Sequence, residues 1–420
     1  MPGVSPRSSP ADWELTSAVA TVSIDGQRGG PLPESVEQAK QAALEVLLHN
    51  AHGPVGGLPR TAGWGYPEPY TRDLLLSAFG ILVSGSEELV ETLGRTLTVL
   101  AQNQTGRGHI PSMVHDPDNL GSSDTTPLFL IAVGLYRRFT GDGGFLGRAV
   151  QKALTWMQYQ SPDDTVMVGQ LPTSDWRDEH WVLGFGLYVN SLVYTYLKLH
   201  GRDDEAGKLH SMVNRFDVRR DVGNRHIHEG LVVRSKPYFA MYAYKVDNNE
   251  RFDLLGNCLA SLSGLASNSR RQGIVRWVEG ECDALRARGE LAVDLPPCLV
   301  PYIRRTDPDW RPRYEDFNRA GEYHNGGIWP FICGFYVATC VAAGRHSLAR
   351  RKLLALTDLV SLHRRDSLTW GFNEWVKAQD GKPMGCDWQS WSAAMYLYAA
   401  ACVERQSTPL FDAVRAASHR

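Results

Sequence analysis

The feature that most constrains this chain is a recurrence of helical periodicity. Twelve stretches between residues 35 and 406 carry apolar residues at i, i+3 and i+4 spacing, the signature of a helix with a buried face. The stretches are of two kinds. Some are amphipathic with a charged face, such as EELVETLGRTLTVLAQ (87–102) and HSLARRKLLALTDL (346–359). Others are apolar nearly all round, such as PLFLIAVGLY (127–136) and PFICGFYVATCVAA (330–343). A helix that is apolar on every side must be buried on every side. Alternation of wholly buried with half-exposed helices is what two concentric rings produce. Twelve helices in two rings of six predict an all-α fold, an (α/α)6 barrel.

The segments between helices are long. They cover 50–71, 104–123, 159–180, 217–251 and 282–326, and hold most of the Trp, Tyr, Asp, His and Gly. Long loops on a rigid scaffold are where function concentrates. Residues 1–33, rich in Pro, Ser and Gly, read as a loose N-terminal arm, and 34–420 as one catalytic domain with no dividing linker. The run 223–245 has β-like segments and reads as a small hairpin insertion.

Composition narrows the partners. A formal net charge of −2 gives no electrostatic case for nucleic acid or an anionic membrane. No run reaches the roughly 18 apolar residues of a membrane helix, and the start, MPGVSPRSSPADWEL, has no apolar run of signal-peptide length. Seven cysteines, an odd number without CxxC or metal-ligand spacing, point to free thiols and a cytoplasmic protein. No metal or organic cofactor is expected. The 12 Trp and 16 Tyr often sit beside Gly, Asp and Asn. That suits a sugar ring, which has one apolar face and a rim of hydroxyls.

Five clusters carry the chemistry. In SSDTTPLFL, Asp124 stands at a helix start, where it is either a capping carboxylate or a substrate-facing acid. In WGFNEW, Glu374 lies between Asn373 and Trp375, near Trp370 and Phe372. It is either a solvated turn residue or a carboxylate partly desolvated by aromatics and so primed as a base. GWGYPEPYTRD supplies Trp64, Tyr66, Tyr70, Arg72 and Asp73, and DWRDEHW supplies Asp175, Trp176 and Asp178. AGEYHNGGIWP supplies Tyr323, His324, Asn325 and Trp329, with Glu322 as a reserve carboxylate. Two separated carboxylates are what glycoside hydrolysis requires. No phosphate-binding glycine loop, Gly-x-Ser-x-Gly elbow or His-Glu-x-x-His helix competes with that reading.

YTRDLLLSAFGILVSG, SSDTTPLFLIAVGLYRRFTGD, RFDLLGNCLASLSGLAS, EYHNGGIWPFICGFYVATCVAAGR, FNEWVKAQDGKPMG and DWQSWSAAMYLYAA occur in that order. On these motifs the chain resembles the (α/α)6-barrel glycoside hydrolases, most closely the alkaline/neutral invertases of glycoside hydrolase family 100. The SDTTPLFL form is more similar to the amylo-α-1,6-glucosidase and family 63 α-glucosidase relatives. The resemblance implies an inverting mechanism with Asp124 as general acid and Glu374 as general base. Arg72, Asp73, His324, Asn325, Gln389 and Trp391 fall on pocket-lining motifs of that group.

The expectation is therefore an inverting, exo-acting glycoside hydrolase for an α-glucosidic or sucrose-type bond in a small saccharide. Its partner would be an oligosaccharide or glycoside substrate, with no nucleic acid and no membrane, and a homo-oligomer left open. Two alternatives accompany it. One is a sugar 2-epimerase on the same architecture, using histidines among His109, His115, His180, His226, His228 and His324. The other is a non-catalytic carbohydrate-binding protein.

Overall fold

A computed structural model of the chain describes residues 31–161, 166–214, 230–244 and 247–416. In chain order its helices are α1 (Glu34–Asn50), α2 (Thr71–Leu76), α3 (Ala78–Val83), α4 (Glu87–Gln102), α5 (Thr125–Thr140), α6 (Gly147–Tyr159), α7 (Leu187–Leu199) and α8 (Asp203–Val213). They continue with α9 (Leu254–Ser263), α10 (Asn268–Ala287), α11 (Tyr314–Phe317), α12 (Pro330–Ala342), α13 (His346–Ser361), α14 (Ser390–Arg405) and α15 (Phe411–Ala416). Seven short strands accompany them among the described residues: β1 (Phe185–Gly186), β2 (Tyr242–Tyr244), β3 (Asp247–Asn249), β4 (Phe252–Asp253), β5 (Leu299–Val300), β6 (Trp375–Val376) and β7 (Pro383–Met384). The fold is mostly helical with three small sheets.

Two kinds of helix are present, as the periodicity predicts. Every residue of α7, α9 and the first twelve positions of α12 is buried. In α4 burial falls instead on one stripe, including Leu89, Leu93, Thr96, Leu97 and Leu100, and in α13 on Ala349, Lys352, Leu353, Leu356 and Val360. The wholly buried helices contact one another in sequence. The α2–α3 pair packs on α5, α5 on α7, α7 on α9, α9 on α12, α12 on α14, and α14 returns to α2–α3. The half-exposed helices α1, α4, α6, α8, α10 and α13 lie against them. Close approach needs small residues at the contacts. A Cβ on Gly80 would strike the Ala394 backbone, and one on Gly334 would meet the Met395 carbonyl oxygen at 2.5 Å.

Two segments depart from the expected pattern. The apolar periodicity of RDLLLSAFGILVSG (72–85) predicts one helix; the structure separates α2 from α3 at Ser77, whose hydroxyl donates to the Asp73 carbonyl at 2.7 Å. The backbone ladder nevertheless runs through Ser77, whose N–H donates to the Asp73 carbonyl at 3.1 Å and whose carbonyl accepts from the Ile81 N–H at 3.0 Å, so α2 and α3 are nearly continuous. Residues 181–186, read as part of a helix, run extended into β1, which pairs antiparallel with β2. Within the expected 223–245 hairpin, residues 223–229 and 245 lie outside the described residues. The described part contributes β2, which joins β1 and β3 in one sheet. Most of the expected N-terminal arm, residues 1–30, lies outside the described residues. The carbonyl of Pro31 accepts from Arg350 on α13 at 2.6 Å.

All seven cysteines are free, six buried and Cys386 half-buried. Among the described residues no helix is long and apolar enough to cross a membrane.

Candidate active site

The floor of the site is the segment 320–330. Its backbone is pinned by short bonds. The Asn325 side chain accepts from the Ile303 N–H at 2.6 Å and donates to the carbonyls of Ile303 and Asn318, both at 2.8 Å. The Asn318 side chain accepts the His324 N–H at 2.9 Å. Asn325, expected to meet substrate, therefore holds the loop. Its amide is fully engaged with backbone. What the loop presents is aromatic. His324 stacks on Tyr323 and lies nearly parallel to Trp329, with ring centroids at 4.0 and 5.5 Å, and Tyr323 meets Trp329 directly at 5.3 Å. Trp176 and Trp391 meet Trp329 edge-on, and Trp391 stacks on Phe331 at 4.1 Å. Glu322, the reserve carboxylate, is paired with Lys377 at 2.7 Å.

Glu374 reaches the site through the β6–β7 hairpin. Trp375 pairs with Met384, so the chain on either side, Glu374 and Cys386, is brought together. The Cys386 N–H donates to Glu374 Oε2 at 3.2 Å. Glu374 is buried, and its pKa is pushed up to about 7 by desolvation, with the charge of Asp178 adding to the rise. Gln389, also buried at the start of α14, helps hold the carboxylate form.

Three non-glycine residues near this site have left-handed backbones: Tyr323 (φ 45°), Phe372 (φ 42°) and Trp388 (φ 59°). Such conformations cost of order 1–3 kcal/mol each and cluster at functional sites. Phe372 and Trp388 are neighbours in space. The Trp388 N–H donates to Gly371 at 2.6 Å, and the Gln389 N–H donates to Phe372 at 3.0 Å. Gly385 has φ 71°, and a Cβ there would collide with the Glu374 carboxylate. Gly385→Ala is expected to displace that carboxylate and lower kcat about 100-fold, with the helical circular-dichroism spectrum unchanged. Wild-type kcat in this variant would show that the packing is not needed.

Asp124 occupies a different environment. Its side chain does not cap α5. It accepts from Arg72 Nε at 2.6 Å, from Arg72 Nη2 at 3.2 Å and from the Tyr188 hydroxyl at 3.1 Å. Its accessible surface is 0%. Burial raises its pKa and Arg72 opposes the rise. Asp175 is likewise internal. It pairs with Arg177 at 2.8 Å and accepts from Gln170 at 2.9 Å. Despite its burial, Arg177 holds its carboxyl below the usual range. Trp176 is buried beneath His324 at 5.1 Å.

Asp178, three residues further on, is the open one. Its side chain is 61% exposed and Oδ1 lies 3.9 Å from His324 Nε2. Enclosure by the walls raises its pKa, and Arg72 counters. The fields of these groups overlap. The charges of Glu374 and Asp178 both raise buried Asp73, which desolvation carries to about 7. Glu374 raises Tyr66, and Asp178 and Glu374 both raise Tyr323 after desolvation. Asp178 also acts on Tyr70, which meets Tyr66 edge-on at 6.1 Å. The structure thus brings together Tyr66, Tyr70, Arg72, Asp73, Asp124, Asp178, Tyr323, His324, Glu374 and Gln389. Trp64 stands on the rim, 6.1 Å from Trp388 with Arg365 over its ring.

His324 is pushed well below its ordinary pKa by burial and by His180, and burial carries His180 to about 3. Both are neutral near pH 7. His109 stacks on Trp156, at 4.7 Å. His226 and His228 lie outside the described residues. Sequence reasoning missed Tyr188, Gly385 and the Arg177–Asp253 pair at 3.1 Å. A hydroxyl in the first turn of an all-apolar helix, and an arginine set inside DWRD, were the available signals.

Residues 198–406 match the family described as alkaline and neutral invertase. Alkaline/neutral invertase CINV2 of Arabidopsis thaliana is 30% identical over 203 residues, which is 47% of this chain and 34% of that protein. Cytosolic invertase 1 of Oryza sativa subsp. japonica is 30% identical over 162 residues, 37% of this chain and 26% of that protein. The chain thus matches about a third or less of the length of these relatives. In three dimensions it is similar to the family 63 mannosylglycerate hydrolase of Thermus thermophilus, with a TM-score of 0.58, 15% identity, and coverage of 86% of this chain and 99% of that one. A wild-type glycosidase gives a TM-score of 0.60 at 15% identity, covering 89% and 99%. The family match contains Glu374, Gln389 and Trp391, while Arg72, Asp124 and Asp178 precede it.

Proposed function

We propose that the chain, whose residues 198–406 match the alkaline and neutral invertases and whose fold is similar to that of family 63 glycosidases, is an inverting, exo-acting glycoside hydrolase on an (α/α)6 barrel. Its substrate is a small saccharide with an α-glucosidic or sucrose-type bond, met in the cytoplasm by one catalytic domain over 34–420. Glu374 is the general base. The sequence motifs favour Asp124 as the acid, and the geometry favours Asp178 in its place. The observation that carries this is the contrast between them. Asp178 is open to the cleft and coupled to Glu374, whereas both Asp124 oxygens are bonded to Arg72 and Tyr188 behind the surface. An acid must touch the oxygen it protonates. Asp124 then positions Arg72, whose charge acts on Asp73 and Asp178.

Asp178 delivers its proton to the glycosidic oxygen as the C1–O bond breaks. A water adds to C1 from the opposite face and passes its proton to Glu374. The products are the free alcohol and the inverted sugar, and solvent exchange resets both carboxyls. Tyr66, Asp73, Tyr323 and Gln389 surround the reacting ring, and Trp391 and Trp329 back it.

Hydrolysis of sucrose, maltose, isomaltose, kojibiose, trehalose and a glycosylglycerate, with the first-formed anomer read by NMR, tests the reading. One of them should yield the inverted anomer. Retention would overturn the mechanism, and exchange of a ring proton from deuterated water without hydrolysis would favour an epimerase. The base must be ionised. With Glu374 raised to about 7, the pH profile of kcat/KM should be a bell with one limb at about pH 7 and the other set by Asp178. A profile flat from about pH 5 to about pH 8 would count against Glu374.

A further inference from the structure

An open cleft of 640 Å³ lies between the C-terminal ends of α7 and α9 and the start of α10. Tyr188, beside Asp124, and Lys198, in the cleft wall, are ten residues apart on α7, about 15 Å along the axis. The cleft is lined by Lys198, His210, Ser267, Asn268, Arg271 and Arg415 among others. Asp203 pairs with Lys198 and Asp412 with Arg415. Arg271 is different. It is 6% exposed, and its terminal nitrogens donate to the Ala342 carbonyl at 2.9 Å and to Asn268 Oδ1 at 2.6 Å. Its Nε has no partner, and no carboxylate pairs with it among the described residues.

A guanidinium this buried is costly when the only carboxylate acting on it, Asp412, is already paired with Arg415. A second guanidinium, on Arg415, faces it. Burial first, and then Arg415, push Arg271 down to about 10. The first N–H groups of α10, a helix of twenty residues capped by Ser267, open at the same place. The Arg270 N–H is taken by the Ser267 hydroxyl and the Arg271 N–H by the Ser267 carbonyl, which leaves the N–H groups of Asn268 and Ser269 to favour negative charge. Two guanidiniums and a helix start around an open cleft suit a tetrahedral oxyanion.

We infer that this cleft is a second binding site, remote from the hydrolytic centre, for a phosphate group held between Arg271, Arg415 and the first turn of α10. The group belongs either to inorganic phosphate or to a sugar phosphate. Calorimetric titration of the whole chain with inorganic phosphate and with glucose 6-phosphate, at constant ionic strength, measures it. Wild type should bind at about 1 mM or tighter. Arg271→Gln should weaken binding about tenfold or more, and Arg271→Lys less. Asn268→Asp is the second variant. It gives Arg271 its own carboxylate in place, so it should keep or raise the melting temperature while abolishing phosphate binding. Tighter binding of the ester identifies a sugar phosphate, and equal binding identifies the free ion. No wild-type binding by about 10 mM, or undiminished binding in both Arg271→Gln and Asn268→Asp, overturns the site. Because binding is read directly, the result is independent of whether the chain hydrolyses a glycoside.

Discussion

Asp178→Asn is expected to lower hydrolysis of an unactivated glycoside by about 10²–10⁴-fold, the range set by loss of a positioned acid. The loss should depend on the leaving group. A glycosyl fluoride needs little protonation, so its hydrolysis should stay within about tenfold of wild type. Glu374→Gln should lose both substrates together, because the attacking water is needed in each. Asp124→Asn should also lower both in parallel. There the cause is different: Arg72 loses the carboxylate that holds it at 2.6 Å, and the field on Asp73 and Asp178 shifts. The ratio of the two rates in each variant is therefore the decisive number. If Asp178→Asn lowers both substrates equally while Asp124→Asn spares the fluoride, the proton comes from Asp124 after all.

The second large effect is on stability. Arg177→Met should destabilise the fold by about 3–5 kcal/mol, the cost of removing one partner from a buried ion pair. Arg177 is 1% exposed and serves two carboxylates, Asp175 at 2.8 Å and Asp253 at 3.1 Å. Asp175 keeps Gln170 and a backbone N–H when the guanidinium is gone. Asp253 has Arg177 as its ionic partner at 3.1 Å, with the Gly256 N–H adding a weaker contribution, so Arg177 is its main compensation. In the variant both carboxyls would sit above their unfolded pKa values. The deficit should then be largest at neutral pH and shrink as pH falls towards about 4, where the carboxyls of the unfolded chain are protonated as well. Urea titration at the two pH values measures this. Adding Asp253→Asn to Arg177→Met should recover part of the loss. A deficit under about 1 kcal/mol at pH 7 would show that Arg177 does not compensate the two carboxylates in this way.

The helices were legible because burial writes itself into the pattern. The apolar residues running all round PFICGFYVATCVAA identify α12 as enclosed before any coordinates are known. In the site, the aromatic surroundings of Glu374 signalled desolvation, and the raised pKa has desolvation as its first cause. The relation of Asp124 to Arg72 spans 52 positions, and that to Tyr188 spans 64. No local pattern reports which of two carboxylates such distant partners will enclose. Asn325 misled for the same reason. An amide beside two glycines reads as a ligand for sugar hydroxyls until Ile303 and Asn318 are found to occupy it.

The return of α14 to the α2–α3 pair has a consequence for the order in which the molecule is made. Residues near 75 and near 395 must meet before the buried helices enclose anything. Contacts that distant in sequence form slowly. Gln389 opens α14, and Glu374 enters the chain only shortly before it. A ribosome that has released residue 300 has therefore exposed most of the apolar helices but not Glu374. Chaperone demand should persist until α14 has emerged, and activity should arrive with that helix rather than accumulate along the way.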